Sequence, residues 1–325
     1  MFLTFFLDSI STENPRSALL LPIFTFTQPR DEIRDKASAS GIQDYKYRCR
    51  EIKVDFKQGL VMENLYDLFF EVSNEDRHRI LLQLEEAAMN VTQLARRLGL
   101  GAQECSRHVT RLGKVGLTRK DVDGFHRLTA YGELVLRMLP GFEFISKHRD
   151  YFTSHSMVLL PPEFVSQIGE LADSTYTNDI MVAIGSIEEM MRGAEEYIWI
   201  IHDQYTMSIV PLASEAITRG VKIKTIDLKT YPPSRMPRGE VRAEDQQVLS
   251  RALTTGGLEM GMLERLDVFL FMSEKEVAAI AFPTLDGKFD YLGFNSTDER
   301  AIKWCGDLFQ FYWEEVEPKH EFTLF

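Results

Sequence analysis

The sequence predicts an α+β protein in which a small helical domain with a β-hairpin precedes an α/β domain with a mixed sheet. Three observations carry this prediction. Apolar residues take helical spacing from Met62 onward, an Asp123-Gly124 pair separates two short basic runs, and helix-like and strand-like runs alternate after residue 180. The 325 residues, of which 44% are apolar, are enough for two or three ordinary cores.

Residues 1–58 are unlike the rest of the chain. Their apolar clusters follow no sustained period, so they do not predict a domain. Two interpretations remain open: a translated upstream stretch, with Met62 as the natural start, or a flexible, disordered arm. The missing periodicity favours the upstream stretch.

Residues 62–140 predict four helices and a hairpin. Two helices follow Met62, and Ser73 and Asn74 are the cap candidates for the second. Thr92 is the expected N-cap of the third, which ends at the glycine-marked turn 99–101. The fourth helix is expected from Ala102 to Lys114.

The fourth helix is amphipathic. Residues Ala102, Cys105, Val109 and Leu112 recur at helical spacing and predict one buried stripe. His108 lies beside this stripe, and we interpret it as a packing residue. The opposite face carries Gln103, Ser106, Arg107, Thr110, Arg111 and Lys114.

The next segment predicts a basic hairpin. Asp123-Gly124 is a strong turn signal, and the strands beside it carry Arg119, Lys120 and Arg127. Thr129 then opens another helix, which Pro140-Gly141 is expected to end. Helices followed by a basic hairpin are the order of a winged helix-turn-helix domain.

Charge is distributed unevenly. The whole chain carries −12, but residues 91–128 hold eight Lys or Arg against three acidic residues, a local charge of +5, which leaves −17 elsewhere. A uniformly acidic surface repels polyphosphates, so any nucleic-acid binding has to be local. In the major groove, Arg can bind guanine and Gln adenine, whereas Ser, Thr and Lys suit phosphates. The residues predicted to contact DNA are Thr92, Gln103, Ser106, Arg107, Thr110, Arg111, Lys114, Arg119, Lys120 and Arg127.

The segment "LARRLGLGAQECSRHVTRLGKVGLTRKDVDGFHRLTAYG" resembles the winged-helix domain of ArsR-like prokaryotic regulators. The following "YFTSHSMVLLPPEF" and the region after it are similar to archaeal transcription regulators related to the methanogenesis regulatory protein. This resemblance spans about 62–317 and implies a winged helix joined to an effector-sensing domain. No cysteine pair stands near residues 91–112, which argues against metal sensing.

The second half predicts the α/β sensor domain. After a helical linker or dimerisation region over 141–174, the domain is expected over 175–317, followed by a tail over 318–325. A helix over 184–195, the strand "YIWIIH", a helix and the strand "VKIKTIDL" indicate a parallel βαβ unit. Residues 231–247 predict a proline-rich, charged loop or lid. Further strands are expected up to residue 294, and Trp199 is expected in the core.

Ligands of open α/β sheets gather at the carboxyl ends of strands. This rule makes the residues at the carboxyl ends of the two strands the predicted effector site: His202, Asp203, Gln204, Tyr205 and Asp227. The alternative is that these polar residues only cap strands and begin loops. The segment "HDQYTMS" has Gln where phospholipase D-like nucleases need Lys, so no catalytic residues are predicted.

The sequence therefore favours a homodimeric transcription regulator that binds double-stranded DNA and a small-molecule effector, and it favours a non-enzyme. The alternatives are an RNA- or protein-binding winged-helix module, or an enzyme with a degenerate phospholipase D-like α/β domain. Cys49, Cys105 and Cys305 form no CxxC pair, and we expect no metal or cofactor. No apolar run reaches the ~18 residues of a membrane span, so a cytoplasmic location and no membrane contact are expected.

Overall fold

The computed structural model describes residues 59–203, 208–229 and 241–318. The predicted extension over 1–58, the site residues Gln204 and Tyr205, most of the predicted proline-rich loop and residues 319–325 lie outside this range. Within it, a helical unit with a hairpin is followed by helices around a mixed sheet, which confirms the predicted α+β class.

Four helices open the described chain: α1 (Gly59–Val72), α2 (Glu75–Glu86), α3 (Val91–Leu98) and α4 (Ala102–Lys114). Asn74 caps α2, as predicted, by accepting a hydrogen bond from the backbone N–H of Arg77. The predicted cap Thr92 is wrong, because Asn90 caps α3. Asn90 and Gln93 form a reciprocal capping box, which satisfies two N–H groups that a Thr92 cap would have left open.

The predicted hairpin is confirmed. Strands β1 (Thr118–Lys120) and β2 (His126–Leu128) pair antiparallel, with Arg119 opposite Arg127. Gly124 adopts a φ of 86° in the turn, a left-handed conformation that glycine takes without steric cost. Asp121 holds the turn together, since its carboxylate accepts hydrogen bonds from the backbone N–H groups of Asp123 and Phe125.

The predicted helix end at Pro140-Gly141 is wrong. Helix α5 (Ala130–Lys147) continues through both residues. Proline inside a helix removes one backbone hydrogen bond and costs about 3 kcal/mol, so tertiary packing has to compensate. A 3-10 turn, Ile168–Leu171, packs against α5 here, and a Cβ on Gly169 would lie 2.7 Å from the backbone nitrogen of Gly141. This close approach retains the helix.

Helices α6 (Arg149–Ser154) and α7 (Pro162–Ser166) follow α5 along the chain and precede the strands of the large sheet. They belong to the predicted linker, yet Tyr151, Leu160 and Phe164 are buried in the same core as the sheet. A second core, formed by residues from Val72 to Leu136, lies inside the helical unit. The described chain therefore has two hydrophobic cores.

The large sheet has the strand order β10-β6-β5-β4-β7-β8-β9-β3 among the described residues. The strands are β3 (Thr175–Thr177), β4 (Tyr197–His202), β5 (Lys222–Leu228), β6 (Leu258–Leu263), β7 (Phe269–Ser273), β8 (Val277–Ala281), β9 (Gly293–Ser296) and β10 (Glu317–Pro318). The pairs β4–β5 and β5–β6 are parallel, and the other pairs are antiparallel. The predicted βαβ unit is confirmed.

Helices lie on both faces of this sheet. Helices α8 (Ile180–Gly193), α9 (Ile209–Thr218) and α10 (Ala243–Thr255) contact one another and the sheet, and α11 (Glu299–Glu315) contacts β7 and β8. Trp199 of β4 stacks on Phe309 of α11, which supports its predicted core position. The predicted loop over 231–247 is wrong at its end, because helix α10 begins at Ala243. Arg242, just before the helix, donates a hydrogen bond to Asp245 in its first turn.

Candidate functional site

Helix α4 presents one buried and one exposed face. Cys105, Val109 and Leu112 are buried, as the periodicity predicted. Ala102 is exposed, so its place in the stripe is wrong: it is the first residue of the helix and extends past the packed neighbours. All six residues predicted for the polar face are exposed: Gln103, Ser106, Arg107, Thr110, Arg111 and Lys114.

The exposed residues of α4 differ in the hydrogen bonds that they form within the protein. The Thr110 hydroxyl donates a hydrogen bond to the Ser106 carbonyl, 2.7 Å away, so this hydroxyl has a partner within its own helix. Arg111 donates hydrogen bonds to the carboxylate of Glu71, from Nη2 at 2.6 Å and from Nε to both oxygens at 3.0 and 3.1 Å. Arg107 is exposed on the same face of the helix. Arg107 and Arg111, which were both predicted as DNA contacts, therefore lie in different surroundings.

Glu71, at the end of α1, joins two arginines. Its side chain is only 9% exposed, and it binds Arg77 at 2.9 Å as well as Arg111. Arg77 also donates hydrogen bonds to the backbone carbonyls of Phe70 and Glu71, where α1 ends. The hydrogen bond from Arg111 is the main cause that lowers the pKa of Glu71, and both positive charges add to it. This buried carboxylate ties α1 and α2 to the candidate recognition helix.

The hairpin beside α4 carries the other predicted contacts. Arg119 and Lys120 are exposed on β1, and Arg127 lies opposite Arg119 on β2. Arg127 donates a hydrogen bond to Asp121, 3.2 Å away, so its guanidinium is oriented by the turn. The pKa of Asp121 is lowered, chiefly by the hydrogen bond from the backbone N–H of Phe125. Thr92 is exposed near the start of α3.

The predicted effector residues that the structure describes lie together at one edge of the sheet. His202 and Asp227 are opposite each other at the ends of β4 and β5, and His202 Nε2 lies 3.0 Å from Asp227 Oδ1. The Thr225 hydroxyl donates a hydrogen bond to Asp227, and Asp203, the residue after His202, is also buried. The parallel pairing predicted from the sequence produces this arrangement.

Tyr291 is a functional candidate that sequence reasoning missed. Its hydroxyl donates a hydrogen bond to Asp203 Oδ1 at 3.0 Å, although 88 residues separate them. Tyr291 has a φ of 63°, which is unfavourable for a bulky residue and is retained where the surroundings demand it. No pattern around Tyr291 predicts this conformation.

An apolar cavity of about 190 Å³ adjoins this cluster. Its wall is formed by α8, the start of α9, strand β7 and Tyr291. The lining residues are Ile180, Ala183, Ile184, Ile187, Glu188, Ile209, Phe269, Phe271 and Tyr291. Because Tyr291 belongs to both the cavity and the polar cluster, a ligand in the cavity would meet the Tyr291–Asp203 pair at one end.

Helix α5 exposes a stripe of apolar side chains. Tyr131, Leu134, Met138, Phe142 and Ile145 recur at intervals of three and four and are all exposed, Met138 by 64%. The stripe continues onto α1, where the ring of Phe69 meets that of Phe142 edge to face at a centroid distance of 6.0 Å. Contiguous exposed apolar area of this kind marks an interaction surface.

A comparison with known protein families finds a match for part of the helical unit. Residues 72–121 match a family model described as a helix-turn-helix domain, which covers α2, α3, α4 and β1. No curated protein sequence matches the chain. In the described part of the chain, every helix is too short or too polar to cross a membrane.

Among solved structures, the chain is similar to TrmBL2, an archaeal chromatin protein with a novel mode of DNA binding, at 17% identity over 76% of this chain and 94% of that one (TM-score 0.36). It is similar to reduced HlyU from Vibrio cholerae at 26% identity over 30% and 97% (TM-score 0.23). The phospholipase D family member Nuc from Salmonella typhimurium matches at 10% identity over 46% and 99% (TM-score 0.31).

Proposed function

We propose that this chain is a DNA-binding transcription regulator of the ArsR-like winged-helix kind, related to the methanogenesis regulatory protein family. The observation that carries the proposal is the exposed polar face of α4, which carries Gln103 and Arg107 and is followed by a hairpin with exposed Arg119 and Lys120. A helix fits the major groove, and the hairpin would reach the flanking backbone. The helix-turn-helix match supports this assignment.

The salt dependence of binding tests this function. Because the basic residues would neutralise phosphates, a complex with six to ten phosphate contacts should lose about 10³- to 10⁵-fold in affinity between 50 and 200 mM salt. Fluorescence anisotropy would follow binding to duplex DNA from upstream of the gene, and to the matching single strands of DNA and RNA. Equal or tighter binding to a single strand would contradict the proposal and favour an RNA-binding module.

We also propose that two copies of the chain dimerise through the apolar stripe of α5 and α1. A second copy is the expected occupant because winged helices usually bind paired half-sites, and a two-fold interface places the same patch on both subunits. Met138→Glu would put a charge in the stripe and should yield a monomer in sedimentation velocity. Met181→Glu on α8, at a residue 72% exposed and outside the stripe, is the matched control and should remain dimeric. A dimeric Met138→Glu variant would rule out this interface.

The effector that we propose is a small, mainly apolar molecule with one hydrogen-bonding group. An apolar cavity of ~150 Å³ accepts benzene, so about 190 Å³ suits a monocyclic ring with a substituent. The polar substituent would face the Tyr291–Asp203 pair, and the buried His202–Asp227 pair lies at the same edge of the sheet. The predicted effector site and the cavity would then be one site.

This ligand class can be tested with p-cresol as the probe. We expect p-cresol to shift the methyl NMR signals of Ile184, Ile187 and Ile209, which line the cavity. Ala183→Leu would fill part of the cavity and should abolish these shifts. Ala243→Leu, at an exposed helix position outside the cavity, should leave them unchanged. Unchanged binding by Ala183→Leu would place the ligand elsewhere.

A further inference from the structure

Three side chains capable of binding a metal converge where α2 meets α4. Asp76 lies in the first turn of α2, and Glu104 and His108 lie one turn apart on α4. One donor atom from each residue lies within 4.8 Å of the other two. Neither the DNA contacts nor the effector site uses these three residues.

The imidazole of His108 is the unusual member of this cluster. Its side chain is only 15% exposed. Both ring nitrogens are buried and have no hydrogen-bond partner among the described residues. Leaving a buried polar group unsatisfied costs about 1–3 kcal/mol, so such a group calls for an explanation. The nearest acid, Glu104, is 3.9 Å from Nε2, too far for a hydrogen bond.

The surroundings allow a cation here. The Asp76 carboxylate forms an ion pair with Arg79 at 3.4 Å, near the upper limit of a hydrogen bond, and the Glu104 side chain is 45% exposed, so both carboxylates can adjust. The nearby Arg77 and Arg111 are both paired with Glu71, whose single carboxylate offsets one of their two positive charges. The carboxylates of Asp76 and Glu104 carry the two negative charges that would balance a dication.

We propose that Asp76, Glu104 and His108 bind one divalent transition-metal ion of the zinc class. An imidazole nitrogen and carboxylate oxygens are ordinary zinc ligands at about 2.0–2.2 Å, and sites with three protein ligands complete their shell with water. Modest rotation of the three side chains would bring their donor atoms to this distance from one shared ion. The proposed site uses no cysteine ligand. The lack of a cysteine pair near residues 91–112, which argued against metal sensing, therefore does not exclude it. The ion would fasten α2 to α4.

The test is a calorimetric titration of the EDTA-treated, dialysed full chain with Zn²⁺. We expect one ion per chain at this site and a higher melting temperature with Zn²⁺ than with EDTA, because a ligand that binds only the folded state stabilises it. His108→Leu and Glu104→Gln should each weaken binding by at least the about 10- to 100-fold seen when only a supporting residue of a metal site is lost. The readout involves no DNA, so it is independent of the proposed function.

Glu75→Gln is the matched control, since Glu75 is the neighbouring exposed acid in the first turn of α2. It should bind Zn²⁺ like the unmodified chain. Glu104 is on the surface, so the Glu104→Gln variant keeps the test valid even if His108→Leu fails to fold. Absence of Zn²⁺ binding by the unmodified chain, or equal binding by the Glu104→Gln variant, would overturn the proposal.

Discussion

Replacing Arg107 by alanine is expected to weaken binding to duplex DNA from upstream of the gene by about 1–3 kcal/mol, the loss of one arginine that reads a base. Arg107 is exposed at the centre of the polar face of α4, where a groove-bound helix would meet base edges. The preference for the specific duplex over unrelated duplex DNA should fall at the same time. Gel-shift titration with both duplexes measures the two quantities.

The control for this experiment is Arg251→Ala, which removes an exposed arginine from α10, outside the helix-turn-helix unit. It should leave DNA binding unchanged. Arg111→Ala is a poorer test, because losing Arg111 also removes the hydrogen bonds to Glu71 and so alters the protein itself. If the Arg107→Ala variant binds the specific duplex as tightly as the unmodified chain, α4 is not the reading element that we propose.

Replacing Glu71 by alanine is expected to lower the free energy of unfolding by about 3 kcal/mol, the lower end for breaking a buried ion pair by removing one partner. The reason is that Arg77, whose side chain is 8% exposed, would keep a buried charge without its carboxylate. Arg111, 44% exposed, can turn to water and should contribute less. Urea unfolding measures the change. Asp67→Ala, an exposed acid of the same helix, should have little effect, and an equal loss in both variants would contradict the assignment.

The same carboxylate predicts a pH dependence. The folded-state pKa of Glu71 lies below the ordinary value of 4.5, chiefly because Arg111 donates a hydrogen bond to it. A lowered pKa means that the stabilisation is fully present above about pH 4.5 and is lost as the pH falls through the folded-state value. The difference in unfolding free energy between the unmodified chain and the Glu71→Ala variant should therefore shrink below pH 4.5. A difference that stays constant down to pH 3 would contradict this explanation.

The sequence was sufficient where a pattern repeats at the period of one element. Helix α4 begins and ends where the apolar spacing predicted, since burial of Cys105, Val109 and Leu112 depends only on the helical period. The Asp-Gly pair located the hairpin because few residues accept the backbone of that turn. Strands β4 and β5, which carry His202 and Asp227 near their carboxyl ends, became neighbours because a helix of ordinary length joins parallel strands.

Predictions from short stretches of sequence were wrong where a contact with a distant segment determined the local structure. Pro140 would end an isolated helix, but packing of the 3-10 turn against α5 keeps the helix intact. Arg107 and Arg111 looked equivalent on one face of α4, but only the folded chain brings Glu71, 40 residues earlier, to Arg111. In both cases the competing interaction comes from another element, which no short window of sequence contains.

By itself, then, the sequence determined the element types, the basic face of α4 and the strand ends that carry the predicted effector residues, because each depends on short-range periodicity or chain connectivity. The tertiary structure alone decided which of those residues are already engaged, how Tyr291 meets Asp203 beside an apolar cavity, and how Asp76 comes close to His108. These features depend on side chains that packing brings together from positions 32 to 88 residues apart in the chain.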